Sequence, residues 1–193
     1  VTDAALARAG EAGGVYKVET TAGLIMVEAA SAAEAVLAAG DILIRAGGAG
    51  SDLTQKAGAV VKSTGGNISL LARNAIAQNA DVTASGGTID VEAFDAGITM
   101  LSGTVTTSAG GNIRYAANGN IALGLLDAGA GDASVKAGGS ILEATAGNNV
   151  AADYLRLEAG GSIGAPGGLN ALDTAVATLS SKSGGATYLL NAG

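Results

Sequence analysis

The chain has 193 residues, of which 32 are Gly, 43 Ala and one Pro, with no Cys, His or Trp, and 10 basic against 17 acidic side chains leave a net charge of −7. Gly at roughly twice its usual share without a G-X-Y period excludes collagen, and a mean hydropathy of +0.40 with 14% charged residues excludes disorder. The negative balance disfavours nucleic acid and anionic lipid, and the missing Cys and His remove disulfides, thiol catalysis and the commonest metal ligand.

Much of the 48% apolar content is Ala methyl groups, and one Phe and four Tyr cannot fill the interior of an ordinary two-layer domain, so the core must be narrow. No apolar run reaches the length of about 18 residues that spans a bilayer. The opening VTDAALARAG also lacks a basic region followed by an apolar stretch, so the sequence reads as a piece of a longer polypeptide without membrane insertion of its own.

Residues 1–40 read as an irregular or capping segment. AALARAGEAG (4–13) reads as a helical turn over the open end of the repeats, covering an unpaired strand edge. SAAEAVLAAG (31–40) has Ser31 and Glu34 in capping-box spacing, Ala-rich helix formers and Gly40 as a stop, and suggests a short helix or an irregular loop.

Residues 41–193 read as one repeat domain. Segments that run apolar, variable, apolar, variable, Ala recur as IMVEA (25–29), ILIRA (42–46), ISLLA (68–72), IDVEA (89–93), IRYAA (113–117), ASVKA (133–137), LRLEA (155–159) and YLLNA (188–192). Their closing positions lie 17, 26, 21, 24, 20, 22 and 33 residues apart, a mean near 23. The alternation is that of a strand with one buried face.

Read down the register, one inward column is Ile25, Ile42, Ile68, Ile89, Ile113, Ala133, Leu155 and Tyr188. The next is Val27, Ile44, Leu70, Val91, Tyr115, Val135, Leu157 and Leu190, and the third is all Ala. The outward positions are unrestricted: Met26, Leu43, Ser69, Asp90, Arg114, Ser134 and Arg156 in one column, with Glu28, Arg45, Leu71, Glu92, Ala116, Lys136 and Glu158 in the other.

A second strand is marked by Ile76, Ile98, Ile121, Ile141 and Ile163, and a less regular third by Val82, Val105, Leu125 and Val150. The pairs Gly65-Gly66, Gly86-Gly87, Gly110-Gly111 and Gly184-Gly185 precede several segments, where corners need positive φ or close backbone approach. Coils of this length with short strands and Gly corners make a parallel β-helix, an all-β fold of about eight coils and roughly 38 Å at strand spacing. Propeller blades need twice the period, and a leucine-rich repeat needs an L-x-x-L-x-L frame that is absent here. An antiparallel sandwich is the main competitor.

GGNISLLA, GGTIDVEA, GGNIRYAA and the closing LRLEAGGSIGAP…LDTAVATLSSKSGGATYLLNAG resemble the repeat region of large bacterial exoproteins of the filamentous haemagglutinin type, over roughly residues 40–193. The resemblance implies a right-handed β-helical stalk on the cell surface or in the secreted protein, exported through an outer-membrane secretion partner and used in cell adhesion and virulence. Its partner would be a host or neighbouring-cell surface protein or glycan. The family carries no catalytic residues onto this sequence, and the absence of Cys suits a chain that crosses a membrane unfolded.

The alternative is a carbohydrate-active β-helix of the polysaccharide lyase or hydrolase kind, which needs clustered carboxylates and a base on one outward face. The nearest candidates are Asp90 and Glu92 with Arg114 one coil on, where a salt-bridged surface ladder is the simpler account because no aromatic platform accompanies them. AGAGDASVKAGG (128–139) has the glycines of a calcium-binding roll but occurs once, and Thr104-Val105-Thr106 is a lone match to a Thr array. Arg8, Lys17, Lys56, Lys62 and Lys182 read as solvated surface. No catalytic, cofactor-binding or metal-ligating residue is assigned, and the chain is read as non-enzymatic.

Overall fold

The computed structural model describes residues 14–29, 34–166 and 170–193. Twenty strands follow one another, three to a coil through β15, after which β18 and β19 each run through a corner. They are β1 (Tyr16–Thr20), β2 (Ile25–Val27) and β3 (Glu34–Ala38); β4 (Ile42–Ala46), β5 (Leu53–Gln55) and β6 (Val60–Ser63); β7 (Ile68–Ala72), β8 (Ile76–Gln78) and β9 (Val82–Ala84). Then come β10 (Ile89–Ala93), β11 (Ile98–Met100) and β12 (Val105–Thr107); β13 (Ile113–Ala117), β14 (Ile121–Leu123) and β15 (Leu125–Asp127); β16 (Ala133–Ala137) and β17 (Ile141–Glu143). The last are β18 (Asn148–Ala159), β19 (Leu172–Ser183) and β20 (Leu189–Asn191).

Every pairing between these strands is parallel and joins one coil to the next, which makes the fold a parallel β-solenoid of about seven turns from first rung to last. The first face stacks β1, β4, β7, β10, β13, β16 and the second halves of β18 and β19; the second stacks β2, β5, β8, β11, β14 and β17; the third stacks β3, β6, β9, β12, β15 and the first halves of β18 and β19. The antiparallel sandwich is thereby excluded, since Ile68–Ala72 and Ile89–Ala93 pair in parallel and in register.

Six of the eight sequence segments sit on the first face in the expected register. The two outermost do not. Ile25–Val27 belongs to the second face, beside Leu53–Gln55, and the first rung of the column is instead Tyr16–Thr20. Likewise Leu189–Asn191 lies on the third face against Leu172–Thr174, and the last rung of the first face is in Leu179–Ser183. Short alternating segments look alike on any face, and only the neighbouring rung decides where one sits. With the column closed by Thr20, Ala46, Ala72, Ala93, Ala117, Ala137, Ala159 and Ser183, the spacing runs 26, 26, 21, 24, 20, 22 and 24.

Within the segment read as irregular or capping, β1, β2 and β3 therefore pair into the solenoid. No helix occurs among the described residues. The helix expected over 31–40 is a strand from Glu34, because Ala35, Val36 and Ala38 are buried and β3 gains a backbone ladder from β6, interrupted by one bulge at Ala35, which outweighs the helix propensity of Ala. Residues 31–33 and the capping turn expected over 4–13 lie outside the described residues.

Inside, Ile42, Ile68, Ile89, Ile113, Ala133 and Leu155 form one buried stack, and Ile44, Leu70, Val91, Tyr115, Val135 and Leu157 the next. The second face carries Leu53, Ile76, Ile98, Ile121, Ile141 and Ile163 as a continuous buried stack, as its spacing predicts. On the third face the inward stack is Val61, Val82, Thr106, Leu126 and Val150; Val105 and Leu125 each lie one residue off it and are half-buried. Ala116, at an outward position, is also buried, because its methyl sits between the longer side chains of Glu92 and Lys136.

The corners follow from Gly and from short polar side chains. Gly86 (φ +119°) and Gly110 (φ +103°) make the left-handed bend, while Gly66, Gly87, Gly111 and Gly131 stack so closely that a Cβ on any one would overlap the backbone of the coil before it. An Asx oxygen then accepts the amide of the next coil where the bend breaks the ladder: Asp41 Oδ1 from Asn67 N (2.8 Å), Asn67 Oδ1 from Thr88 N (2.8 Å) and Asn112 Oδ1 from Asp132 N (2.9 Å). β18 and β19 have no Gly pair at this corner and run as 12-residue strands through it, from the third face into the first.

Replacing Ile113 by Ala should cost about 2–5 kcal/mol, since a narrow core held by backbone ladders cannot collapse around the cavity. Replacing its neighbour Arg114 by Ala should cost about 1 kcal/mol or less. Chemical denaturation of the two variants checks the contrast.

Candidate functional site

On the outer side of the first face, side chains two residues apart on a strand and one rung apart between strands are close neighbours. Arg114 on β13 reaches back to β10, its guanidinium 2.6 Å from Asp90 Oδ1 and 2.9 Å from Glu92 Oε2. The hydrogen bond to Glu92 holds the guanidinium protonated more firmly than usual, burial opposes this, and Asp90 adds to it. Arg114 thus lies where sequence places it, and it ties both carboxylates of the candidate cluster into an ion-paired ladder rather than a cleft.

The same arrangement recurs along the face. Lys136 lies 3.3 Å and Arg156 3.1 Å from Glu158, whose carboxyl is held below the usual range first by the Lys136 hydrogen bond. Glu19 sits 2.6 Å from Lys17 and 3.6 Å from Arg45, and the Lys17 hydrogen bond likewise lowers its carboxyl. Of the lysines read as solvated surface, Lys17 pairs with Glu19, Lys56 with Glu28 and Lys62 with Glu34. These groups are substantially exposed, so solvent screening leaves each pair only a small contribution to stability.

Two polar groupings are not apparent from the sequence. One is a closed ring inside the solenoid formed by Gln78 on β8, Thr106 on β12 and Tyr115 on β13, one residue from each face and each from a successive coil, all 0% exposed. Gln78 Nε2 donates to Thr106 Oγ1 (2.9 Å), and the Tyr115 hydroxyl donates to Gln78 Oε1 (2.6 Å). The Tyr115 proton being committed, Thr106 donates to the Tyr115 oxygen (2.7 Å). Burial pushes the Tyr115 phenol well above its ordinary range, against the opposing hydrogen bonds from Thr106 and Gln78. With no solvent contact, the ring braces three faces and has no reactant to act on. Gln55, one rung from Gln78, donates instead to the carbonyls of Ala59 (2.7 Å) and Asp81 (3.0 Å).

The other grouping is a carboxyl pair. Glu143 ends β17 in the column that stacks on buried Leu123, so a charged group stands in an inward position. Its carboxyl is raised above the usual range, first by burial and then by the negative charge of Asp173, while the Gly147 amide opposes the shift. Asp173 opens β19; its backbone N–H donates to Asn149 Oδ1 (3.0 Å), and its side-chain Oδ1 is buried without a hydrogen-bond partner. A charge in the second-face inward column is the signal that finds Glu143. The Ile that begins each of those strands marks the face but not the residue two places on.

Among the described residues, no group of three or more His, Cys, Asp or Glu side chains is placed to hold a metal ion. No helix among them is long and apolar enough to cross a membrane. Thr106, from the lone Thr-Val-Thr string, faces inward rather than forming an outer array. Comparison with protein-family models, with curated proteins and with solved structures gives no match to this chain.

Tyr115→Phe removes one hydroxyl, leaving Gln78 Oε1 without a donor and the Thr106 hydroxyl proton without an acceptor in the core, an expected loss of about 1–3 kcal/mol. A double-mutant cycle with Thr106→Val should show that the two losses are not additive. Glu143 has a folded-state pKa above its unfolded value, so its contribution to stability is present at low pH and is lost as pH rises through the raised value. Glu143→Gln should therefore stabilise the chain at neutral pH and lose that advantage as pH falls below the carboxylate range, which thermal melts across pH check.

Proposed function

We propose that the chain is a non-catalytic stalk or adhesive segment of a bacterial cell-surface or secreted exoprotein, holding a binding surface away from the cell. The observation that carries the reading is the contrast between the two sides of the coil. The inward columns of the first face are nearly all Ile, Leu, Val and Ala, whereas its outward columns vary freely and offset their charges rung by rung, as Asp90, Glu92 and Arg114 do. A solenoid distributes its stability over neighbouring coils and needs no unique centre, which suits a spacer. The resemblance of the GGNI-type repeats to filamentous haemagglutinin-type exoproteins supports the same reading. It extends it to an outer-membrane secretion partner and to a host or neighbouring-cell protein or glycan as ligand.

One observation favours a second reading, glycan cleavage. General acid catalysis needs a carboxyl that holds its proton more firmly than usual, and burial, then Asp173, shift Glu143 in that direction, whereas Asp90 and Glu92 are tied to Arg114. The purified chain incubated with a panel of acidic and neutral polysaccharides should leave their length unchanged. Cleavage abolished by Glu143→Gln, or by changing Asp90 or Glu92 to its amide, would overturn the stalk and establish the enzyme.

A further inference from the structure

We propose that the outer side of the first face over β16, β18 and β19 is a binding surface for a glycan that carries isolated carboxylates, a sugar acid set among neutral sugars. The proposal rests on the adhesive reading above and names the chemistry of its ligand. Lower on this face the charges nearly balance: Arg114 answers Asp90 and Glu92, and Glu19 is shared by Lys17 and Arg45. Over β16, β18 and β19 they do not. Glu158 has Lys136 at 3.3 Å, Arg156 at 3.1 Å and the charge of Lys182 from the next rung, which leaves two positive charges over in a chain whose net charge is −7. Lys136 and Arg156 keep 65% and 62% of their side chains exposed, so each has donors free for a second carboxylate.

An aromatic ring stands beside these cations. Along the second half of β18 the outward side chains are Tyr154, Arg156 and Glu158, and Tyr154 is exposed, roughly 6.6 Å along the strand from Arg156. Ser134 and Ser180 lie on the rungs before and after Arg156, so the guanidinium has only short neighbours in its column. At the corner beside Tyr154 are two exposed carboxylates, Asp153 before it in sequence and Asp132 on the rung before it.

Each part selects a feature of the ligand. The planar guanidinium of Arg156 takes a carboxylate through two parallel hydrogen bonds, and Lys136 and Lys182 add charge on either side at the rung spacing of about 4.8 Å. The ring face of Tyr154 takes the C–H face of a sugar ring. Asp132 and Asp153 accept hydrogen bonds from sugar hydroxyls, and they repel a densely charged chain such as a nucleic acid or a sulfated glycan. A neutral glycan would leave the surplus cations unanswered, so the fit is to single carboxylates spaced by uncharged sugars.

An oligosaccharide that alternates glucuronate with a neutral sugar is the probe, titrated calorimetrically into the full chain. The comparisons are the same oligosaccharide with its carboxyls reduced to alcohols, and dextran sulfate. The first should bind, more weakly as salt rises, and each comparison should bind several-fold less tightly. Arg156→Gln and Tyr154→Ala should each weaken binding several-fold, whereas Glu158→Gln removes the competing carboxylate and should strengthen it. These positions are on the outer side, and circular dichroism checks that the solenoid is retained. Absence of binding, equal binding of the reduced oligosaccharide, tighter binding of dextran sulfate, or weakening by Glu158→Gln would each overturn the proposal. Oligosaccharide length is followed in the same samples: cleavage would overturn the stalk and leave the binding surface standing, whereas neither binding nor cleavage would overturn the binding surface and leave the stalk.

Discussion

Backbone ladders between successive coils set the terms for every other interaction in this protein. Because each strand lies against its counterpart one coil earlier, at a spacing of about 4.8 Å, a side chain meets the same position of the neighbouring coil before it meets anything else. Sequence is therefore constrained by column rather than by segment. Ile fills one inward column of the first face from Ile42 to Ile113, and a column that runs from Gly66 must remain Gly through Gly131, because each backbone lies on the one before. At the corners, where the ladder is interrupted, an amide needs a side-chain acceptor, and Asp41, Asn67 and Asn112 supply it there.

The same geometry separates the strong interactions from the weak ones. Outside, ions such as Arg114 and Glu158 form pairs that solvent screens, so the surface is free to vary. Inside, a polar group without a partner is costly, and the three polar side chains Gln78, Thr106 and Tyr115 form a ring in which each donates once and accepts once. A stack of apolar rungs can slip by two residues and still bury apolar atoms. The ring cannot, because its members come from three faces and three coils, and a slip would break all of its bonds together.

The first-face register between Ile42 and Ala159 and the Ile stack of the second face were legible because both alternate apolar with variable residues at a recognisable spacing. The two end rungs were misplaced because Ile25–Val27 and Leu189–Asn191 carry the same alternation as the first face while sitting on other faces. On the third face, choosing Val105 and Leu125 followed apolarity, whereas the buried residues are Thr106 and Leu126; a Thr whose hydroxyl is satisfied inside the core is invisible to a hydropathy rule. Glu34–Ala38 looked helical because Ala propensity is local, while the ladder from β6 is not. Of the candidate site, Asp90, Glu92 and Arg114 were brought together as expected, and Glu143 with Asp173 was missed because the two are 30 positions apart and meet only through the stacking of coils.

The central claim is parallel, in-register stacking, and thiol cross-linking tests it directly because the native chain contains no Cys. Ser69 faces Asp90 in the parallel register of β7 and β10, whereas an antiparallel hairpin of the same two segments would set Ser69 against Glu92. Two double variants, Ser69→Cys with Asp90→Cys and Ser69→Cys with Glu92→Cys, are oxidised under mild conditions and compared by the rate of disulfide formation. The account predicts a rapid bond in the first and little in the second, and preferential bonding of positions 69 and 92 would contradict it.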